Sequence, residues 1–245
     1  MNRNPVVSRE EWLAASKAFL AKEKAATRLR DELTAERTAL PWVKVEKDYV
    51  FETSQGKKTL GELFDGRSQL MIYHFMFGPG WKAGCPGCSF LADHIDGALP
   101  HLEHHDVTMV AVSRAPLAKI EAYKKRMGWR FPWVSSGDSD FNYDHQVSFT
   151  KEDLAKDKVF YNFEMLDAAE GNDELPGLSA FAKDEETGEI FHSYSTYARG
   201  PEELIGTYMI LDRAPRGRNE TGNMDWMRRH DEYDEAPKPA ACCAS

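Results

Sequence analysis

The run Gln69 to Phe77, Q-L-M-I-Y-H-F-M-F, is the segment that most narrows the folds open to this chain. It is apolar on both faces, too short for a helix of normal length, and bounded by Gly66 on one side and Gly78-Pro79-Gly80 on the other. That is how a central strand covered on both sides reads. The glycine-rich loop Gly78 to Gly84 then delivers Cys85-Pro86-Gly87-Cys88, and Ser89 to His104 follows with Phe90, Leu91, Ile95, Leu99 and Leu102 at helical spacing. The cysteine pair therefore sits where a strand gives way to a helix. Val107 to Val112 predicts a second buried strand, and Pro116 to Met127 a second helix stopped by Gly128 at its C-cap. Strand, helix, strand, helix implies a parallel core.

Upstream, Arg9 to Arg37 reads as a helix N-capped by Ser8, with Trp12, Leu13, Phe19, Leu20, Leu29 and Leu33 as a narrow, interrupted apolar stripe. Such an arm has two places to dock, across the domain surface or against a second subunit, so a homo-oligomer formed through this helix is one expectation. Val43 to Glu52 alternates like a strand, Gly56 marks a hairpin, and Leu60 to Phe64 is a short segment. Phe131 to Ser135 offers a further strand before the turn-rich Ser136 to Asp140, whereas Asn142 to Asn172 shows no clear period. Leu178 to Phe181 and Glu189 to Ser195 read as an antiparallel hairpin, and Pro201 to Leu211 as a closing helix. The tail from Arg213 is polar, with Ala236 to Ala240 read as mobile. The predicted organisation is a helical arm (1–41), an α/β domain with a central mixed sheet flanked by helices (42–212) and a polar C-terminal extension (213–245).

Charge and composition remove several function classes. A formal net charge of -9 repels phosphate backbones and anionic membrane surfaces, so nucleic acid is not an expected partner. No stretch approaches the roughly 18 uninterrupted apolar residues of a membrane span, and Met1 to Arg30 has no apolar core of a secretion signal, which makes a cytoplasmic location the expectation. The four cysteines fall in two close pairs, Cys85 with Cys88 and Cys242 with Cys243, far too few for a disulfide scaffold in 245 residues. Cysteine here reads as chemistry.

A C-x-x-C pair at a helix start suits thiol exchange. Free backbone N–H groups and the positive helix end favour a thiolate on Cys85, the expected nucleophile, and the two-residue gap brings Cys88 within reach to resolve a mixed disulfide. Pro86 fits the first helical turn and stiffens it, while Gly87 is expected to leave the approach open. The alternatives are half of a zinc site or a structural pair. Structural zinc needs four ligands, and His101, His104 and His105 lie a helix length away, so no metal and no cofactor are assigned.

The segment F-M-F-G-P-G-W-K-A-G-C-P-G-C-S-F (Phe75 to Phe90) resembles the hallmark of the thioredoxin-like bacterial family catalogued as domain of unknown function 899. The likeness extends to R-D-E-L-T-A-E-R-T-A-L-P-W-V (Arg30 to Val43), F-H-S-Y-S-T-Y-A-R-G (Phe191 to Gly200) and W-M-R-R-H-D-E-Y (Trp226 to Tyr233). It implies a thioredoxin-like fold and a dithiol-disulfide role. Thioredoxins themselves place Trp directly before the first cysteine, whereas here Trp81 lies four residues upstream, and they carry a cis-proline at a place taken by Pro176 or by Gly177-Leu178-Ser179. Peroxiredoxins present a threonine three residues before the attacking cysteine, where this chain has Lys82.

Other candidates surround this pair. His74 could exchange protons with the thiols or be a hydrogen-bonded core residue; Trp81 could wall the pocket; Lys82 and Arg114 could lower the Cys85 pKa. Trp129, Phe131, Trp133, Phe141 and Tyr143 suit a core better than a substrate groove. Cys242-Cys243 could pass electrons to the main site or form a prenylation box, and His230-Asp231 reads as charged surface. The leading expectation is an oxidoreductase acting on a protein or small-molecule disulfide, re-reduced by an unidentified electron donor. The alternatives are a thiol peroxidase and a non-catalytic thioredoxin-fold binding or sensor protein.

Overall fold

The computed structural model describes residues 4–137, 139–168 and 172–233. The expectations placed on Cys242, Cys243 and Ala236 to Ala240 lie outside the described residues. The chain divides into two compact units at Trp42/Val43. The first is a single long helix, α1 (Arg9–Thr38). Its start is fixed by a capping box in which the Glu11 N–H donates to Ser8 Oγ and the Ser8 N–H donates to the Glu11 carboxylate. No residue of α1 is buried, and Trp12, Phe19, Leu29 and Leu33 stand exposed along it.

The second unit is built on a mixed sheet. In chain order it contains β1 (Val43–Lys44), β2 (Val50–Thr53), β3 (Gly56–Thr59), β4 (Gln69–His74), α2 (Pro86–Ala92), α3 (Leu99–His104), β5 (Val107–Ser113), α4 (Leu117–Met127) and β6 (Trp133–Ser135). There follow α5 (Phe141–Asp144), α6 (Lys151–Leu154), β7 (Lys158–Tyr161), β8 (Glu164–Asp167), β9 (Gly177–Lys183), β10 (Ile190–Tyr197) and α7 (Gly206–Leu211). Among the described residues the sheet runs β1-β10-β9-β4-β5-β6-β2-β3, with β4, β5 and β6 parallel and β9 and β10 antiparallel to their neighbours. A strand that leads into the cysteine helix, a parallel strand beside it, a second helix, then an antiparallel hairpin and a closing helix is the thioredoxin-like arrangement, as the resemblance implied.

The expected central strand is β4, and its pleat sorts the core. Tyr73 and Phe75 pack with Cys88, Phe90, Tyr123, Trp129 and Trp133 on one face, while Leu70 and Ile72 pack with Phe51, Phe64 and Phe141 on the other. Burying each such side chain contributes about 1.5–3 kcal/mol, so these two clusters are what hold the sheet between its covering layers. The aromatic residues Trp129, Phe131, Trp133 and Phe141 are core, and Tyr143 stacks under the Arg114 guanidinium 4.9 Å from its ring centre.

Two predicted helices are interrupted. Ser89 to His104 breaks into α2 and α3 because Asp93 and Asp96 face tertiary donors: the Asp93 carboxylate accepts from Trp129 Nε1 at 2.8 Å, and the Asp96 carboxylate accepts from the N–H groups of Arg130 and Phe131. Pro201 to Leu211 likewise splits into a 3-10 turn over Gly200–Leu204 and the short α7. Within the stretch without a clear period, 142–172, the described residues contain most of α5, α6 and the β7–β8 hairpin, and Ser148 bridges to Glu174 just beyond it. The residues from 213 to 233 pack on the domain core through Met224, Trp226 and Met227.

Candidate active site

The chain leaves β4 still tied to its neighbour: the Phe75 N–H donates to Val112 O at 2.9 Å and the Ala115 N–H to Phe77 O at 2.8 Å. It then loops back so that the Cys85 N–H donates to Met76 O at 3.0 Å. This return brings Gly84 against the core. A Cβ there would lie 2.7 Å from Phe75 and 2.8 Å from Tyr123, so only glycine fits without displacing two buried rings. Pro86 occupies the first turn of α2 as expected, and Cys85 is its N-cap.

Cys85 and Cys88 are both free thiols, the first half-buried and the second buried. Their electrostatics diverge. The Cys85 thiol is pulled down to about 6, first by a hydrogen bond from the Cys88 thiol, then by the backbone N–H groups of Cys88 and Gly87 and by the Arg229 guanidinium, all working against burial. Burial pushes the Cys88 thiol well up, and the charge on Cys85 adds to this. The Cys88 sulfur also accepts from the Met76 N–H at 3.4 Å and from the Tyr73 hydroxyl. One thiol is thus poised as an accessible thiolate and the other is a sheltered thiol.

The foremost cation acting on Cys85 is Arg229. Arg114 is instead engaged by the buried Glu174 (Nε to Oε1, 2.6 Å) and by Asp173, while Lys82 is exposed. Arg229 reaches the loop from the C-terminal segment. Its Nη2 donates to Gly84 O at 2.6 Å, and its Nε donates to the Tyr123 hydroxyl at 2.8 Å. Ser89 Oγ spends its proton on Cys85 O at 2.8 Å, so the Tyr123 hydroxyl donates to Ser89 Oγ at 2.9 Å. Arg229, Tyr123 and Ser89 form one directed chain of donors that ends on the Cys85 carbonyl as acceptor.

His74 is not beside the thiols. Strand alternation turns it to the opposite face of β4, where it stacks on Phe141, its Nε2 pairs with Ser179 Oγ at 2.8 Å, and its Nδ1 has no partner. Burial, with His145 and His192 close by, holds its pKa well below the usual value, so it is a neutral core residue. Trp81 lies on the lead-in loop with Nε1 donating to Asp173 Oδ1 at 3.1 Å, and it shares a shallow depression of about 430 Å³ with Phe77, Lys82, Lys119, Tyr123 and Arg126. Pro176 stands at the start of β9; its peptide bond is trans, since no peptide bond among the described residues is cis, and its carbonyl accepts from the Tyr161 hydroxyl at 2.7 Å. Gly87 does not leave its side of the helix open, because Met224 Sδ and Met227 Cε lie 3.5 and 3.7 Å from where its side chain would begin. His230 pairs with Asp93 at 2.7 Å, and Asp231 with Arg126, so this segment is fastened to the domain.

Arg229, Tyr123, Ser89 and Tyr73 were the groups that sequence reasoning passed over. The one signal for Arg229 was its place in the W-M-R-R-H-D-E-Y string, which carried a resemblance but no role.

The sequence profile of a bacterial family described as "Bacterial protein of unknown function (DUF899)" matches residues 1–233. No curated protein matches. Among solved structures, the backbone is similar to a mutant of Xylella fastidiosa PrxQ (17% identity, TM-score 0.41, covering 66% of this chain and 88% of that one). It is also similar to the peroxidoxin BcpB of Mycobacterium tuberculosis (13%, 0.42, 70% and 97%) and to the mitochondrial 2-cys peroxiredoxin of Plasmodium falciparum (13%, 0.39, 70% and 92%). These are similarities of backbone course alone.

Proposed function

Because the chain belongs to the DUF899 family, whose description assigns no reaction, we propose its chemistry from the site itself: a dithiol-disulfide oxidoreductase in which Cys85 attacks and Cys88 resolves. The observation that carries this reading is the split between a half-buried thiol drawn down to about 6 and a buried thiol held high one helical turn away. The Cys85 thiolate attacks one sulfur of a substrate disulfide, forming a mixed disulfide and releasing the first substrate thiolate. That thiolate takes the proton of Cys88, whose sulfur keeps the Tyr73 hydroxyl as donor. Cys88 then attacks the Cys85 sulfur, the second substrate thiolate leaves, and two electrons have passed from the dithiol to the substrate. An external dithiol restores the pair.

The test is Cys85→Ser. The variant should lose disulfide reduction entirely, while Cys88→Ser should trap the mixed disulfide on Cys85. Unchanged turnover in Cys85→Ser would sink the enzyme reading, and rapid peroxide consumption lost in that same variant would replace it with the peroxidase one.

A further inference from the structure

Two segments outside the thioredoxin-like core close in on the dithiol, and together they restrict what can reach it. One precedes β9. Residues 173–176 stand at the same sheet end as the thiols, since Gly177 pairs with His74 at the exit of β4, and Tyr161 holds Pro176 there. A protein disulfide presented as an extended peptide binds by adding its backbone to an open edge. Here the Asp173 carbonyl already accepts from the Phe149 N–H at 3.0 Å, and the Leu175 N–H already donates to Val147 O at 2.8 Å. Pro176 has no N–H, and its carbonyl is taken by Tyr161. On the side that faces residues 147–149 this stretch is therefore already paired within the chain.

The second segment covers the other flank. Met224 and Met227 lie over Gly87, and the strand of chain that follows is fastened by Arg229 to Gly84, by His230 to Asp93 and by Asp231 and Glu232 to Arg126. A protein partner needs roughly 800 Å² of its own surface in contact, and these segments occupy the ground beside Cys85 that such a contact would use.

The lead-in side, by contrast, carries a solvent-filled depression. The depression of about 430 Å³ along Phe77 to Lys82 has an aromatic floor of Phe77, Trp81 and Tyr123, a rim of Lys82, Lys119 and Arg126, and no acidic lining residue. On a chain of net charge -9 that sign is opposite to the average surface. Lys119 is partly engaged by Pro79 O, and Arg126 by Asp231 and Glu232, which leaves Lys82 as the rim cation standing in solvent next to the Gly84-Cys85 turn.

Resting on the oxidoreductase reading, we propose that the substrate is a disulfide of low molecular mass that carries carboxylates, held by the cationic rim at Lys82 while Cys85 attacks it. Reduced protein gives two electrons and the Cys88 proton to such a molecule; its S–S bond breaks as the Cys85–Cys88 bond forms, and the second thiolate released takes its proton from solvent.

The experiment is a single turnover of the pre-reduced full-length protein, followed by mass mapping of the Cys85–Cys88 peptide. Its oxidants are oxidised glutathione (anionic), cystamine (cationic) and insulin (a protein disulfide). Oxidised glutathione should react at least about tenfold faster than either of the others, and Lys82→Glu should remove most of that advantage over cystamine. Met224→Ala with Met227→Ala should raise the rate with insulin and leave the order of the two small disulfides unchanged. Insulin or cystamine reacting as fast as oxidised glutathione overturns the proposal. No oxidation of Cys85 by any of the three overturns the oxidoreductase reading itself, so the two failures are told apart.

Discussion

Removing the Cys88 thiol should raise the Cys85 pKa and leave Cys85 otherwise in place. In the native chain Cys85 sits at about 6, and the largest cause is the hydrogen bond from Cys88. At neutral pH this makes Cys85 about 90% thiolate, against about 3% for an ordinary thiol near 8.5. That roughly thirtyfold gain in reacting species is mostly offset, because nucleophilicity falls by about tenfold over the same 2.5 units. Absolute alkylation rate at a single pH is therefore a poor measure, and the pH midpoint is the informative one. A hydrogen bond to a charged sulfur contributes about 1.5–3 kcal/mol, which corresponds to about 1–2 pKa units. In Cys88→Ala the midpoint should move up by about that much. It should stop short of the ordinary value, because the N–H groups at the helix start and Arg229 still favour the thiolate. Iodoacetamide labelling across pH, with Cys85 followed by peptide mass and the thiolate by its ultraviolet absorbance, measures both midpoints. A native midpoint near 8.5, or one that Cys88→Ala leaves unmoved, refutes the reasoning.

Further outcomes follow from the packing and the charges. Gly84→Ala forces a methyl against Phe75 and Tyr123 and should cost about 1–3 kcal/mol, read as a lower urea midpoint. Arg114→Met strands the Glu174 carboxylate, which is buried with Ser148 as its remaining partner, and should lower stability at neutral pH by about 3 kcal/mol. Burial, with His192 close by, depresses His145 to about 3, so the unfolded chain binds its proton first as pH falls. Stability from this group is intact above the unfolded value near 6.5 and lost below it, by about 2 kcal/mol at pH 5. In His145→Phe, where the ring still packs on Phe141 and Phe181, denaturant titrations at neutral and acid pH should show a flatter slope.

The order of elements around the dithiol was legible in the chain because each rests on local pattern. A doubly apolar run too short for a normal helix and bounded by glycines reads as a covered strand, Pro86 and Ser8 mark helix starts, and Gly128 marks a stop. The cysteine pair at the strand-to-helix junction belongs to this class, as does the N-cap of α1 at Ser8. Where local pattern and tertiary demand competed, tertiary demand won: Asp93 and Asp96 turned outward from one predicted helix to meet Trp129, Arg130 and Phe131, and divided it.

What only the tertiary structure decided is which groups face the thiols. A side chain's face depends on the pleat register, so His74, adjacent in sequence to the lead-in loop, falls on the far side of the sheet while Tyr73 reaches Cys88. Charge acts through space, so the cation that draws down the Cys85 thiol is Arg229, from far along the chain. The covering of Gly87 by Met224 and Met227 has the same origin. Backbone conformation is set by neighbours along the chain, whereas the field, the solvent and the access at a sulfur atom are set by whatever the fold lays against it.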